Sequence, residues 1–188
     1  SSSGKINILN KNIYKFRNQI SKEINFASPF VELPHKLTVL QNLTVFGHIY
    51  GVKNLSYKIE KLAQDLDIKD LLKRRVGRLS AGQKTRVSIA KSLINDPKIL
   101  FLDEPTASLD PDHADWIRTY LEHYKNISGA TFIIASHNMP EVERMCNNVI
   151  MMGRGKVIDQ GTPSDLIKRY KRNNLEQVFL QLARNDRV

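Results

Sequence analysis

One cysteine, Cys146, stands among 188 residues, so an internal disulfide is excluded and a reducing compartment suits the chain. Cytosol is the default expectation. Long apolar runs are also lacking. Ile99-Leu100-Phe101-Leu102 and Val149-Ile150-Met151-Met152 fall far short of the twenty or so residues that a membrane helix needs. No charged-then-apolar leader opens the sequence, so no export signal is expected. Acidic residues are the scarcer sign, 19 against 29 basic ones, which leaves a net charge of +10. That excess favours acidic partners such as nucleic acid, an anionic membrane face or nucleotides. The basic residues are dispersed, with modest clusters at Lys73-Arg74-Arg75 and Lys168-Arg169…Lys171-Arg172. A solvated surface that aids solubility and a dedicated polyanion site both remain open. With 41% hydrophobic residues spread along its length, the chain reads as one globular domain and not as a disordered segment.

Short β-rich runs alternate with amphipathic helical stretches, the pattern of a mainly parallel sheet flanked by helices, an α/β fold. The expected strands are 5–9, 23–27, 98–103, 130–135, 147–152 and 156–159. The run at 98–103 is almost wholly apolar, which predicts a central strand covered on both faces. Thr38 with Gln41, Ser80 with Gln83, and Thr162 with Asp165 have capping-box spacing, and Asn138 with Glu141 is a close variant. Pro111 and Pro163 fall in first turns, where a missing N–H costs nothing. Between Thr38 and Asn95 the pattern is helical, with no convincing strand. No repeat is present, and no low-complexity segment beyond Ser1-Ser2-Ser3.

Chemistry concentrates in two strings. Leu79-Ser80-Ala81-Gly82-Gln83 opens a helix whose apolar positions include Val87, Ala90, Leu93 and Ile94. A helix start with free N–H groups and a small Gly82 can receive an anion at close range, although Ser-x-Gly-Gln alone is also a plain capped start. The second string is Ile99-Leu100-Phe101-Leu102-Asp103-Glu104, followed by Pro105-Thr106-Ala107-Ser108-Leu109-Asp110. Ligands of open α/β sheets collect at the C-terminal ends of strands, where Asp103 would sit. A carboxylate there can hold the water shell of Mg²⁺, and Glu104 beside it can orient or deprotonate a water.

Together these strings resemble the ATP-binding subunit of ABC transporters. Leu79–Gln83 is similar to the signature motif, with Ala81 where glycine is commoner. Residues 99–104 resemble the Walker B strand with its catalytic glutamate. Ser108-Leu109-Asp110 resembles the D-loop, and Ser136-His137 the switch histidine. The resemblance implies a P-loop NTPase-type sheet core with an inserted helical subdomain, binding ATP and Mg²⁺. It implies two subunits, as a homo- or heterodimer, sandwiching two ATP molecules head to tail. Ser80, Ala81, Gly82 and Gln83 of one subunit then meet the γ-phosphate held by the other. Asp103 serves the metal, Glu104 is the general base, His137 contacts the γ-phosphate, and Asp110 communicates across the dimer. Dividing the parts between chains makes hydrolysis depend on closure.

Two departures stand out. Gly-x-x-x-x-Gly-Lys-[Ser/Thr] occurs nowhere in the chain. Ser3-Gly4-Lys5-Ile6 resembles instead the Ser-Gly-x-Ile that opens a strand one helix after the P-loop. By that likeness the first strand, P-loop and helix, roughly 25–40 residues by ordinary element lengths, would be missing, along with the aromatic that stacks on adenine. The expectation is a truncated chain that is inactive alone. The second departure is in the Q-loop, matched by Ile24-Asn25-Phe26-Ala27-Ser28-Pro29 and then by Leu37-Thr38-Val39 and Asn42-Leu43. Its glutamine position falls at Ser28, a shorter side chain that could reach a metal or water only through a bridging water.

Gly161-Thr162-Pro163, a helix, and Asn174-Leu175-Glu176-Gln177-Val178-Phe179-Leu180 resemble the tail of ABC-2 type exporter ATPases. Leu175, Val178 and Phe179 also read as a packed helix face. The implied organisation is an ATPase core at 1–28 and 96–170, a helical subdomain at 29–95 and a helical tail at 171–188. The implied protein powers a separate transmembrane permease from the inner, cytoplasmic face of the membrane, and no direct nucleic-acid binding is expected. Two other readings stand beside it: a degenerate subunit that only donates its signature, and a nucleic-acid-associated ABC ATPase. Intact Asp103, Glu104 and His137 count against the first. The lack of sustained heptads between Ser1 and Ser80 counts against the second.

Overall fold

A computed structural model describes residues 4–29 and 31–185. The Ser1-Ser2-Ser3 run and the last three residues of the expected tail lie outside the described residues. The chain divides into two compact units, Ser1–Ala135 and Ser136–Val188.

In the first unit, three parallel strands lie in the order β3(Ile24–Ala27), β4(Ile99–Asp103), β5(Thr131–Ala135). Before them come β1(Asn7–Ile8) and β2(Lys11–Asn12), an antiparallel pair. Their connection, Leu9-Asn10, has φ of 51° and 60°, the left-handed backbone that tight hairpins need. The expected strand 5–9 is thus reduced to one short arm. Helix α1(Arg17–Glu23) follows, with no side-chain cap and with Ile20 buried. Nothing in the local sequence announced it.

The stretch after β3 is helical, as expected: α2(Val39–Tyr50), α3(Leu55–Asp65), two single 3-10 turns at Lys69–Leu71 and Val76–Arg78, then α4(Ala81–Ser92). Thr38 and Ser80 both form complete capping boxes, with Gln41 and Gln83 as the third residues. A side chain on Gly47 would drive its Cβ to 2.2 Å from Leu55 Cδ1, so this glycine lets α2 and α3 meet. Segment 72–77 pairs with 35–40 through Val39 N to Arg74 O (3.0 Å), Leu40 N to Leu72 O (2.9 Å) and Val76 N to Leu37 O (3.0 Å). This helical region lies inside the first unit and shares its core, where Leu43, Leu66, Ile89 and Leu93 are as buried as Leu100 and Leu102 of β4. Helix α5(Pro111–Ser128), capped by Asp110, buries Ala114, Ile117 and Leu121.

Strand β4 is covered on one face more than on the other. Leu100 and Leu102 are buried, whereas Ile99 and Phe101 are half-buried. On the Phe101 face its register partners Phe26 and Ile133 are 42% and 49% exposed. The expected cover on both faces is therefore complete on the Leu100 face and partial on the Phe101 face: an apolar composition does not fix which side chains meet a second layer.

The second unit packs α6(Met139–Met145), the antiparallel pair β6(Val149–Gly153) and β7(Lys156–Gly161), α7(Pro163–Arg169) and α8(Leu175–Asn185). Asn138 and Thr162 cap α6 and α7 as their sequences predict. Leu175 and Val178 are fully buried with Val142, Met151 and Leu166, while Phe179 stays 36% exposed.

Candidate functional site

The three parallel strands of the first unit end together. Ala27 pairs with Leu102, and Asp103 with Ala135, so Ser28 and Asp103 emerge side by side. The Ser28 hydroxyl donates to Asp103 Oδ2 at 2.9 Å. This contact with the acid is direct, and it leaves the reach of Ser28 toward a metal or water as the sequence expectation had it. Glu104 continues the ladder, its N–H donating to Ala135 O at 2.8 Å, but its φ is 47°. A non-glycine residue held there carries strain of order 1–3 kcal/mol, and such residues cluster where a side chain must be aimed. Both carboxylates are half-buried.

These residues share a cavity of about 240 Å³ with the start of α4: Ser28, Asp103 and Glu104 face Ala81, Lys84 and Thr85 across it. Glu32 and His35 line the same cavity. Glu32 pairs with His35 Nε2 at 2.9 Å and lies 3.7 Å from Lys84. The sequence reading missed these three; their sole signal is proximity in the fold, since residues 32 and 84 lie far apart along the chain.

At the head of α4, Gln83 N donates to Ser80 Oγ at 3.3 Å and Ser80 N to Gln83 Oε1 at 3.1 Å. The cap uses Ser80 as an acceptor, so its O–H proton can still go to an anion. The first N–H groups of a helix, here those of Ala81 and Gly82, have no intrahelical acceptor. Ala81 lies in the first turn without a positive φ, so the usual glycine is not required there by the backbone. Gly82 is different. A Cβ on it would come to 3.3 Å from Leu109 Cδ2, a tight contact from which that side-chain end would have to shift by a few tenths of an ångström, and to an ordinary 3.6 Å from Ser108 O.

Asp110 accepts from His113 N at 3.1 Å and from the His113 ring at 2.8 Å. The backbone bond from His113, followed by its ring, holds the Asp110 carboxyl below the usual range, although the group is exposed. His137 belongs to the second unit, where it is exposed at the head of α6. Beside it Ser136 Oγ donates to Glu141 Oε2 at 2.9 Å and accepts from Asn138 N at 3.1 Å. This turn fixes the backbone that presents the histidine.

The oxygen donors suit a hydrated divalent cation. Among the described residues no group of three or more His, Cys, Asp or Glu forms an all-protein metal site. Mg²⁺ is commonly held by one or two carboxylates with substrate phosphates and water, a demand that Asp103 and the Ser28 hydroxyl fit.

Comparison with known proteins decides the family. The ABC transporter family model matches residues 1–107, more than half of the chain. The chain belongs to the ABC transporter family. That match includes Ser28, Ser80–Gln83, Asp103 and Glu104, and ends before Asp110 and His137. The chain is 33% identical over 181 residues to the Nod factor export ATP-binding protein I of Rhizobium sp. strain N33, covering 94% of this chain and 59% of that protein. It spans 21% and 59% of the length of two other curated relatives. Among solved structures, cbiO1 from Clostridium perfringens, part of the ABC transporter complex cbiONQ, is 32% identical with a TM-score of 0.75, covering 99% of this chain and 76% of that one. The fold also matches the ATP-binding cassette MJ0796, solved as a dimer in a post-hydrolysis state with ADP and Pi, at a TM-score of 0.78 and 22% identity over 86% of this chain and 74% of that one. Both likenesses agree with an α/β fold of the P-loop NTPase type. No helix among the described residues is long and apolar enough to cross a membrane.

Proposed function

We propose that the chain forms the catalytic and signature portion of an ATP-hydrolysing subunit that powers a membrane exporter of the ABC-2 type. The observation that carries this reading is the pair of carboxylates at the strand ends, Asp103 bonded to Ser28 at 2.9 Å and Glu104 beside it held at a positive φ. The export function of the Nod factor relative supports the exporter class.

In this reading Glu104 accepts the proton of the attacking water, and its constrained backbone fixes where the carboxylate points. Asp103, already hydrogen-bonded to Ser28, holds the water shell of the metal. Mg²⁺, when bound, neutralises charge on the phosphates. Ser80 O–H and the N–H groups of Ala81 and Gly82, with Gln83 holding the cap, receive the γ-phosphate of a nucleotide carried mainly by a second copy or a related subunit. His137 contacts the γ-phosphate of the subunit's own nucleotide, and Asp110 carries the signal between subunits. The work is mostly placement and charge stabilisation, as phosphoryl transfer requires. The subunit acts on the cytoplasmic face of the membrane beside a transmembrane permease, without nucleic acid. The 188 residues alone hydrolyse no ATP, because they contain no phosphate-cradling motif.

Glu104→Gln in the full-length gene product tests the assignment. Shape is kept and basicity is lost, so turnover drops by about a hundredfold or more while ATP still drives dimerisation, seen by size-exclusion chromatography. Turnover within a few-fold of the parent means that Glu104 is not the base.

A further inference from the structure

The outer edge of β3 has no neighbouring strand among the described residues, and side chains from the end of α4 take that place. Carbonyls two residues apart point to the same side of a strand. Glu23 O accepts from Lys98 N at 2.8 Å, on the β4 side. The carbonyls of Lys22, Ile24 and Phe26 form the opposite series. Asn95 Nδ2 donates to the first two, at 2.9 and 3.4 Å. Lys91 Nζ donates to the third at 2.7 Å. Asn25 locks the arrangement, its Nδ2 donating to Asn95 Oδ1 at 2.7 Å and to Lys91 O at 3.3 Å.

Lys91 is only 5% exposed. Its ammonium lies 4.2 Å from the centroid of the Phe26 ring and 5.6 Å from that of Phe46, and 3.4 Å from Asn25 Oδ1. The groups that face it are Asn25 and Phe26 from β3 and Phe46 from α2, none of them charged. An ammonium buried without a carboxylate is costly. Burial pushes its pKa down to about 8. What it holds is the carbonyl two residues before Ser28.

We infer that Lys91 is a positioning residue, fixing the end of β3 against α4 so that Ser28 meets Asp103. The inference rests on the ATPase reading above. One helix then joins both halves of the proposed chemistry: its head, at Ser80, receives a partner's nucleotide, and its tail sets the Ser28–Asp103 contact.

Lys91→Met and Lys91→Arg test this in two measurements. Hydrogen exchange on the 188-residue chain needs no activity. Segment 24–28 exchanges about tenfold faster in Lys91→Met, consistent with local opening, and returns to the parent rate in Lys91→Arg. Exchange unchanged in Lys91→Met overturns the role. In the full-length gene product, Lys91→Met loses about tenfold in kcat with KM for ATP unchanged, as small misplacements do, and Lys91→Arg restores most of it. The parent's kcat declines above about pH 8, whereas Lys91→Arg holds its rate to higher pH because guanidinium stays charged. A folded Lys91→Met with parental kcat also overturns the role, as does an alkaline limb that Lys91→Arg leaves in place. A parent that hydrolyses no ATP overturns the ATPase reading instead, and the exchange measurement still decides on Lys91. Should Lys91→Met fail to fold, the alkaline limb of Lys91→Arg decides.

Discussion

Ser28 and Asp103 close the ends of two adjacent parallel strands with a hydrogen bond of 2.9 Å, serine donating. The contact joins a position where relatives by resemblance carry glutamine to the carboxylate proposed for the metal. A glutamine side chain is longer and would extend past Asp103 into the cavity. Serine instead stays on the acid and ties the end of β3 to Asp103.

Ser28→Gln in the full-length gene product should therefore preserve hydrolysis but change how strongly the proposed membrane subunit stimulates it. The measurement is ATPase rate with and without that subunit in lipid. A shift of several-fold in the ratio, about 1 kcal/mol of coupling, is expected. An unchanged ratio ends the idea that this position carries coupling.

Ser80 gives a prediction that needs no nucleotide. Its hydroxyl and Gln83 satisfy each other's N–H groups at the head of α4. Ser80→Ala removes the cap, which costs about 1 kcal/mol. For a chain of this size that lowers the melting temperature by about 3 °C. Ser80→Asp keeps a capping acceptor and should melt near the parent. If alanine and aspartate melt alike, the capping box is not contributing.

What the sequence made legible was local. Caps at Thr38, Ser80, Asn138 and Thr162 need only a residue and its third neighbour, and all four form. The buried positions of α4 and its end were readable for the same reason: Val87, Ala90, and Leu93 and Ile94 just after the helix, are all fully buried. Asp103 and Glu104 were singled out because the apolar strand running into two acids is followed by the turn and helix start of Pro105-Thr106-Ala107-Ser108-Leu109-Asp110. Helix α1 escaped notice because no side chain caps it. Lys91 escaped because it reads as one more cation on a basic chain. Its burial depends on Asn25 and Phe26, which lie 66 and 65 positions away. The same holds for Glu32, His35 and Lys84, which are assembled into the cavity by tertiary packing.

Lys91 also makes stability depend on pH in a way that can be isolated. In the unfolded chain its amine titrates near the ordinary 10.5, and in the folded chain at about 8. Between those values the unfolded chain binds the additional proton, so stability rises with pH. Below about 8 both states are charged, the folded state carries the full burial penalty, and this contribution is flat. Burial, helped by Asp65 and Asp96, raises the Tyr120 hydroxyl above its ordinary 10.0, and burial with Asp96 raises that of Tyr124. Those groups act in the opposite sense from about pH 10 upward, which sets the upper end of the window. Urea unfolding of the parent and of Lys91→Met at pH 7, 8, 9 and 10 isolates the lysine, because every other titrating group is common to both. From pH 8 to 10 the parent's folding equilibrium should improve relative to Lys91→Met by at most about tenfold per pH unit, the limit for one proton. Parallel curves would mean that Lys91 keeps an ordinary, solvated ammonium, and its hold on the Phe26 carbonyl would then carry no electrostatic cost.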